Sequence, residues 1–390
     1  MEGSRQLGSK RQIRSTRSAG NKVEAKIITM VTIQVEKLID FVAEVFAHAD
    51  SSPEEARRIA TFLTTANLTG HDSHGVIRVP VYIRWKKMGS VVPNQNAEVV
   101  IDTPSLAVVD GKFGYGQTVA PQAVRIGIEK CRNAGLAMVA LRNAGHIGRV
   151  GDWAEMAAAE GLVSVHFVNA AGSLLVAPFG GVEKRLSTAP YCVGIPRQGQ
   201  DPIVLDFATS IVAEGKVLVA SRGGKKLPKG ALIDSDDTLS EDPTVLYGPH
   251  TSDGPRDHTL GRGAIRAFGE HKGSGLAFIC ELLGGALTGT GATSWGRRFA
   301  NGMLAIYIDP KVIDTNKFFD SEVSRYVDFI RATKPATGVD EVLIPGDPER
   351  KMRAERTRNG VPLPVDTWAA IVNTAREVGV SEVSIQRATA

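Results

Sequence analysis

Between residues 97 and 206 short apolar runs alternate with helical stretches, and that alternation restricts the chain to an α/β architecture. Residues 97–101 and 106–110 read as strands, rich in β-branched residues and bounded by turn formers. The chain then passes through Gly111, Gly114 and Gly116 into a helix expected over about 118–133. A short apolar strand, 136–141, leads to a loop carrying His146, and a helix is expected over about 151–160. Residues 163–168, 191–195 and 203–206 read as further buried strands. Such alternation often accompanies a dinucleotide site, yet Gly-x-Gly-x-x-Gly is absent. Gly114-Tyr115-Gly116 and Gly261-Arg262-Gly263 each lack the third glycine, and there is no Walker A sequence. A standard Rossmann site is not supported.

Before this region the pattern is helical. Leu38, Phe41, Val42, Val45 and Phe46 recur at helical spacing. A second helix opens at Ser51-Ser52-Pro53-Glu54-Glu55, with Ser52 as N-cap, Pro53 in the first turn and acids at the positive helix end. Residues 221–264 lose apolar periodicity to Gly, Pro, Asp, Lys and Ser, which predicts a functional surface loop. A glycine-spaced apolar helix resumes over 273–285.

The second helix delivers the chain to His71-Asp72-Ser73-His74-Gly75-Val76-Ile77-Arg78. Histidine changes charge near neutral pH without environmental tuning, so His74 is a candidate proton carrier. Ser73 can hydrogen-bond its imidazole, but no elbow glycines surround it as a nucleophile would need. Arg78 lies four residues after His74, so on a helix it would share that face and could grip a carboxylate bidentately. A base beside a carboxylate clamp suits an enzyme acting on a small organic acid. The plain alternative is a surface His-x-x-His with Ser73 as a cap.

Residues 66–82 resemble the opening motif of the malate/L-lactate dehydrogenase family. The resemblance recurs at Asn143-Ala144-Gly145-His146-Ile147-Gly148-Arg149, Ala177-Pro178-Phe179-Gly180-Gly181 and Leu205-Asp206-Phe207-Ala208-Thr209-Ser210. It continues at Phe268-Gly269-Glu270-His271-Lys272-Gly273-Ser274-Gly275-Leu276 and Ile344-Pro345-Gly346-Asp347, in the family's order, over roughly 33–365. The resemblance implies a non-Rossmann α/β fold in which helical and cofactor-binding domains interleave. It also implies hydride transfer between a 2-hydroxy or 2-oxo acid and NAD or NADP. His74 is then the acid/base oriented by Ser73, with His146 a rival for that role, and Arg78 and Thr188 contact a small carboxylic acid substrate. His146, Ile147, Gly148, Arg149 and Val150 are the expected cofactor contacts, their amides and the next helix's N-terminus holding a pyrophosphate. Asp206, Phe207, Ala208 and Gly346 join them by family position.

Two positions bear on substrate. The family usually reads Thr-Asn-Pro where this chain has Thr188-Ala189-Pro190, so the pocket's polarity departs from the common pattern. Its cyclic-imine reductases carry an aspartate after the glycine of Ala213-Glu214-Gly215-Lys216; Lys216 here matches the hydroxyacid branch. Lys272 is left open, and Arg350, Lys351 and Arg353 are candidates to meet a cofactor phosphate.

Composition sets outer bounds. Of 390 residues, 43% are hydrophobic and 23% charged, which fits a globular protein with a sizeable core. No apolar stretch reaches the ~18–20 residues of a membrane helix. The three cysteines, Cys131, Cys192 and Cys280, are odd in number and far apart, pointing to a reducing, cytoplasmic setting without disulfides. No zinc-like Cys/His spacing is present, so no metal is expected. Residues 1–29 hold seven Lys/Arg against two Glu, which leaves −1 of the total +4 to the rest. The basic tail therefore gives no support for nucleic-acid binding by the body, and it reads as disordered. The expected division is this tail (1–29), a helical part with the His/Ser/Arg motif (30–110), an α/β cofactor region (111–310) and a C-terminal part packing back on the first (311–390). A homodimer is implied by the resemblance alone.

Overall fold

The computed structural model describes residues 30–221, 226–250 and 256–389. The disorder expected of residues 1–29 lies outside the described residues. Strand β1 (Met30–Ile33) leads to α1 (Val35–Ala47) and α2 (Pro53–Leu68). Ser52 caps α2 as its sequence suggests, accepting from Glu55 N at 3.3 Å, with Pro53 in the first turn. Two single turns of 3-10 helix, Asp72–His74 and Val76–Arg78, then feed α3 (Val79–Lys87). The chain returns to this layer at its far end: β13 (Val361–Pro364) pairs antiparallel with β1, and α12 (Val365–Glu377) and α13 (Glu382–Thr389) follow. Phe41, Phe46, Leu63, Tyr82, Trp368 and Ile371 belong to one hydrophobic core there, so residues more than 280 apart in sequence share one apolar interior.

The middle of the chain builds a seven-stranded sheet. It contains β2 (Glu98–Asp102), β3 (Leu106–Asp110), β4 (Leu136–Ala144), β5 (Val163–Ala171), β7 (Tyr191–Ile195), β8 (Ile203–Phe207) and β12 (Ala300–Ile308), ordered β2-β3-β4-β12-β5-β7-β8. Only β3 and β4 run parallel; the other neighbours are antiparallel. Strand direction leaves no mark on apolar periodicity, and a doubly wound parallel sheet is not formed. The sheet is covered on both sides, which is why β12 is almost continuously buried. Val168, Met303, Ala305 and Tyr307 face α4 (Gly116–Ala134) and α5 (Gly151–Ala159). The alternate side, including Phe167 and Tyr191, joins α6 (Glu214–Ser221) and α8 (His271–Cys280).

Residues 221–264, expected as a loop, hold a small sheet. Strands β9 (Leu232–Ile233) and β10 (Leu239–Ser240) pair with each other, and β11 (Ala264–Arg266) joins β9 to β6 (Val176–Ala177). Between them α7 (Thr244–Tyr247) buries Leu246 and Tyr247. Two-residue strands are too short to show a period, so the sequence reads as featureless. After α8 the helix widens into a π-helical segment, Glu281–Leu287. Helices α9 (Pro310–Ile313), α10 (Phe319–Arg331) and α11 (Asp347–Asn359) lie between β12 and β13, and α11 packs on α2. Among the described residues no helix is long and apolar enough to cross a membrane, and no His/Cys/Asp/Glu group could hold a metal ion.

Candidate active site

Asn67, late in α2, folds the His/Ser/Arg motif. Its Oδ1 accepts from Val76 N at 2.8 Å and its Nδ2 donates to Asp72 Oδ1 at 2.6 Å. Gly75 allows that approach, since a Cβ there would lie 2.2 Å from Asn67 Oδ1. Held this way, the motif forms two short turns instead of an α-helix, so helical i,i+4 spacing is not what relates His74 to Arg78. Instead Arg78 folds back: its Nε donates to Ser73 O at 2.6 Å, and Nη2 lies 3.6 Å from Glu214 Oε2 on α6. Tyr247 Oη donates to the other Glu214 oxygen at 2.6 Å, which draws that carboxylate partly away from Arg78. Among the described residues Arg78 Nη1 meets no acceptor, so its outer edge can take a carboxylate.

His74 sits between Ser73 and His146. Ser73 Oγ is 3.0 Å from His74 Nδ1, and the His74 and His146 rings stack at 5.4 Å and 13°. Burial holds the His74 imidazole well below its ordinary pKa, and the neighbouring His146, then Arg78, push the same way. His146 is pushed down to about 3, chiefly by burial and then by Arg78. Both rings are therefore neutral at pH 7. With Nδ1–H donated to Ser73 Oγ, His74 Nε2 carries the lone pair a base needs. His146 is fixed by residues absent from the expectations. Tyr82 Oη lies 2.6 Å from His146 Nδ1 and accepts from Gln117 Nε2 at 3.0 Å, leaving the Tyr82 hydroxyl proton to His146.

The 146–150 loop tests the fit of a dinucleotide. Ile147 N donates to Asn301 Oδ1 at 2.9 Å. The amides of His146, Gly148, Arg149 and Val150 meet no acceptor among the described residues. A run of neighbouring unpaired amides, with Gly148 at φ 73°, is the kind of concavity that suits a phosphate. The first amide of α5 is already taken: Gly151 N donates to Asp206 Oδ2 at 2.7 Å. Asp206 therefore caps α5, and a pyrophosphate would bind the loop amides and not the helix end. Arg149's side chain is likewise committed. It is 1% exposed and pairs with Asp152 at 2.8 Å and Glu155 at 2.7 Å. What Arg149 can offer a cofactor is its backbone.

Thr188 lies on the turn before β7, where its carbonyl accepts from Thr209 N at 3.0 Å, and Ala189 beside it adopts φ 28°. Phe207 ends β8 and packs against Phe268 and Tyr191; Ala208 follows it. Gly346, at φ 94°, caps α11 beside Val204. Arg350 donates to Pro202 O at 2.9 Å and Arg353 to Glu155 at 3.2 Å, bracing α11. Lys216 and Lys272 are exposed. The structure thus gathers Ser73, His74, Arg78 and His146 around one point. It adds Tyr82, Gln117 and Glu214, for which no local sequence signal exists.

The family model described as malate/L-lactate dehydrogenase matches residues 33–372. The chain is 37% identical over 357 residues to hydroxycarboxylate dehydrogenase B of Escherichia coli (strain K12), covering 90% of this chain and 95% of that one. The solved structure of a candidate malate/lactate dehydrogenase from E. coli is similar at TM-score 0.84 and 36% identity, covering 91% and 97% of the two chains. The structure of Δ1-piperideine-2-carboxylate reductase from Pseudomonas syringae is similar at TM-score 0.74 and 29% identity, covering 89% and 99%.

Proposed function

This chain belongs to the malate/L-lactate dehydrogenase family and is an oxidoreductase of hydroxy acids, and from that premise we propose that His74 and Arg78 handle the proton and the carboxylate of its substrate. The substrate is a small 2-hydroxy or 2-oxo carboxylic acid, malate, lactate or a related hydroxycarboxylate, and the cofactor is NAD or NADP. What carries the reading is the pairing of a neutral His74, backed by Ser73, with an Arg78 guanidinium whose Nη1 meets no acceptor among the described residues.

When bound, the nicotinamide supplies the hydride chemistry at C2. The unpaired amides of the 146–150 loop would hold its pyrophosphate. Arg78 orients the acid through its carboxylate, and His74 Nε2 takes the hydroxyl proton in oxidation or returns it in reduction, worth about 10²–10⁴ in rate. Arg78 lowers the His74 pKa, so a bound carboxylate that offsets its charge makes His74 a stronger base at the moment it is needed. Tyr82 holds the neutral His146 against His74, and Thr188 lines the substrate side. Three free, buried cysteines support a reducing, cytoplasmic setting. Exposed Phe278, Ile279 and Leu282 on and just after α8 support a second copy of the chain covering them.

The test is absorbance at 340 nm with NAD or NADP and a panel of 2-hydroxy acids, including lactate, malate and ureidoglycolate, then the matching 2-oxo acids with the reduced cofactors. Turnover of at least one acid is expected. Reduction of cyclic imines with no turnover of any acid would contradict the reading and place the chain with the reductase branch.

A further inference from the structure

Glu281, in the first turn of the π-helical segment, is 3% exposed and has no ion-pair partner among the described residues. A carboxylate taken out of water without a cation is costly unless donors satisfy it. Here four converge. Oε1 accepts from Ser187 N at 3.1 Å and Ser187 Oγ at 2.5 Å; Oε2 accepts from Thr293 N at 2.8 Å and Asn169 Nδ2 at 3.1 Å. Each end of this cluster continues. On one side Ser187 Oγ accepts from Ala189 N at 3.2 Å, and so holds the residue whose φ of 28° lies outside the range alanine prefers. On the other, Asn169 O accepts from Asn301 Nδ2 at 2.6 Å, and Asn301 Oδ1 accepts from Ile147 N at 2.9 Å.

Ser187, Glu281, Asn169 and Asn301 are all buried, so the chain of hydrogen bonds is continuous through the interior. It begins at the turn carrying Thr188 and ends at the loop carrying His146. Glycines make the close approach possible. A Cβ on Gly285 would lie 2.5 Å from Asn169 Nδ2, and one on Gly284 would lie 2.7 Å from Phe167 O. A π-helical turn adds a residue to the helix and re-aims the side chains around it, a device common near functional sites.

We propose that Glu281 is a positioning residue for the hydride-transfer site, the hub of a buried hydrogen-bond chain that fixes the Thr188 turn relative to the His146 loop. The geometry stands on the distances above; its consequence for catalysis rests on the function proposed for those two segments. Four donors on one carboxylate leave little freedom to either wall, so loosening one end loosens the other.

The test compares Ser187→Ala, which removes the Oγ that joins Glu281 to Ala189 N and leaves only the Ser187 N bond at that end, and Asn301→Ala, which cuts the opposite end, with the double variant. In the protein without cofactor or substrate, Ser187→Ala is expected to speed exchange of the Gly145 and Ile147 amides, the hydrogen-bonded ones within residues 145–150, about tenfold, with α1 as an unchanged control. In turnover, each single variant is expected to lose about tenfold in kcat/KM, mainly through kcat. The double variant is expected to lose little more, because either cut releases the same device. Glu281→Gln, equal in size but presenting an amide to the donors, is expected to match the singles, and it replaces Asn301→Ala in the cycle if that variant does not fold. Unchanged exchange over 145–150, with single losses that multiply to about a hundredfold, would overturn the proposal. Faster exchange in a protein that turns over no hydroxy acid would instead count against the reaction assigned above.

Discussion

Gly215 lies in the first turn of α6, and replacing it with alanine sets two effects of known size against each other. An ideal Cβ at this position lies 2.4 Å from Ser73 Cβ and 2.9 Å from Ser73 Cα, while ordinary contact begins at 3.4 Å. The helix and the motif must therefore part by about 1 Å. Helix preference acts the other way, since alanine is better than glycine by up to about 1 kcal/mol in a helix interior. Overpacking of this kind costs roughly 1–3 kcal/mol, so a modest net loss of stability is expected, a fall of a few degrees in Tm. The effect on catalysis is larger. Ser73 orients His74 at 3.0 Å, and Glu214 beside Gly215 faces Arg78, so both proposed catalytic groups shift. A misplacement of about 1 Å costs on the order of 10² in rate. Initial rates and thermal unfolding of Gly215→Ala should show kcat/KM falling about a hundredfold with most stability retained. Gly275→Ala inside α8, with nothing within 4 Å of its added Cβ, is the control: it should leave kcat/KM unchanged and raise stability by up to about 1 kcal/mol. A kcat/KM for Gly215→Ala close to the parent's would mean that the contact is absorbed without moving Ser73, and that His74 does not depend on this packing.

Three further outcomes are expected. Tyr82→Phe strips the 2.6 Å partner from His146 Nδ1 and leaves Gln117 Nε2 without its acceptor. It should cost about 1–3 kcal/mol in denaturant unfolding and about tenfold in kcat/KM, and no change in either would mean His146 needs no fixing. Arg78→Lys keeps the charge but loses the fork and the bond to Ser73 O. It should raise KM for the acid by about a hundredfold while leaving cofactor affinity nearly unchanged; a KM that stays put would remove Arg78 as the clamp. His166, 0% exposed on β5, has its imidazole pushed down to about 3 by burial. The unfolded chain takes that proton below about 6.5 and the folded chain only near 3, so this stability is present above 6.5 and falls with pH through that window. From pH 7 to 5 the parent should lose roughly 2 kcal/mol more than His166→Gln in urea unfolding, and equal losses would contradict it.

How far the sequence reveals this depends on range. The Ser52 cap, the strands of the large sheet and the proximity of Ser73 to His74 are local facts, written within a few residues. Strand direction is not written there, so the mainly antiparallel sheet is invisible until neighbours are known. Family position marks Arg149 and Asp206 as cofactor contacts, but it does not show the ion pairs that bury one or the α5 amide that occupies the other. Tyr82 and His146 stand 64 residues apart, and no periodicity joins them. Glu281 reads as the one charged residue in an apolar glycine helix; only the strands packed beside it show what its carboxylate holds.

The proton carrier is the centre of the account, and one comparison tests it: initial rates at 340 nm for the parent, His74→Ala and His146→Ala with the preferred acid and cofactor, both saturating. The predicted result is a kcat for His74→Ala lower by about 10²–10⁴, with cofactor binding retained, and a smaller loss for His146→Ala. A His74→Ala enzyme within tenfold of the parent, with His146→Ala inactive, would contradict the account and move the proton transfer to His146.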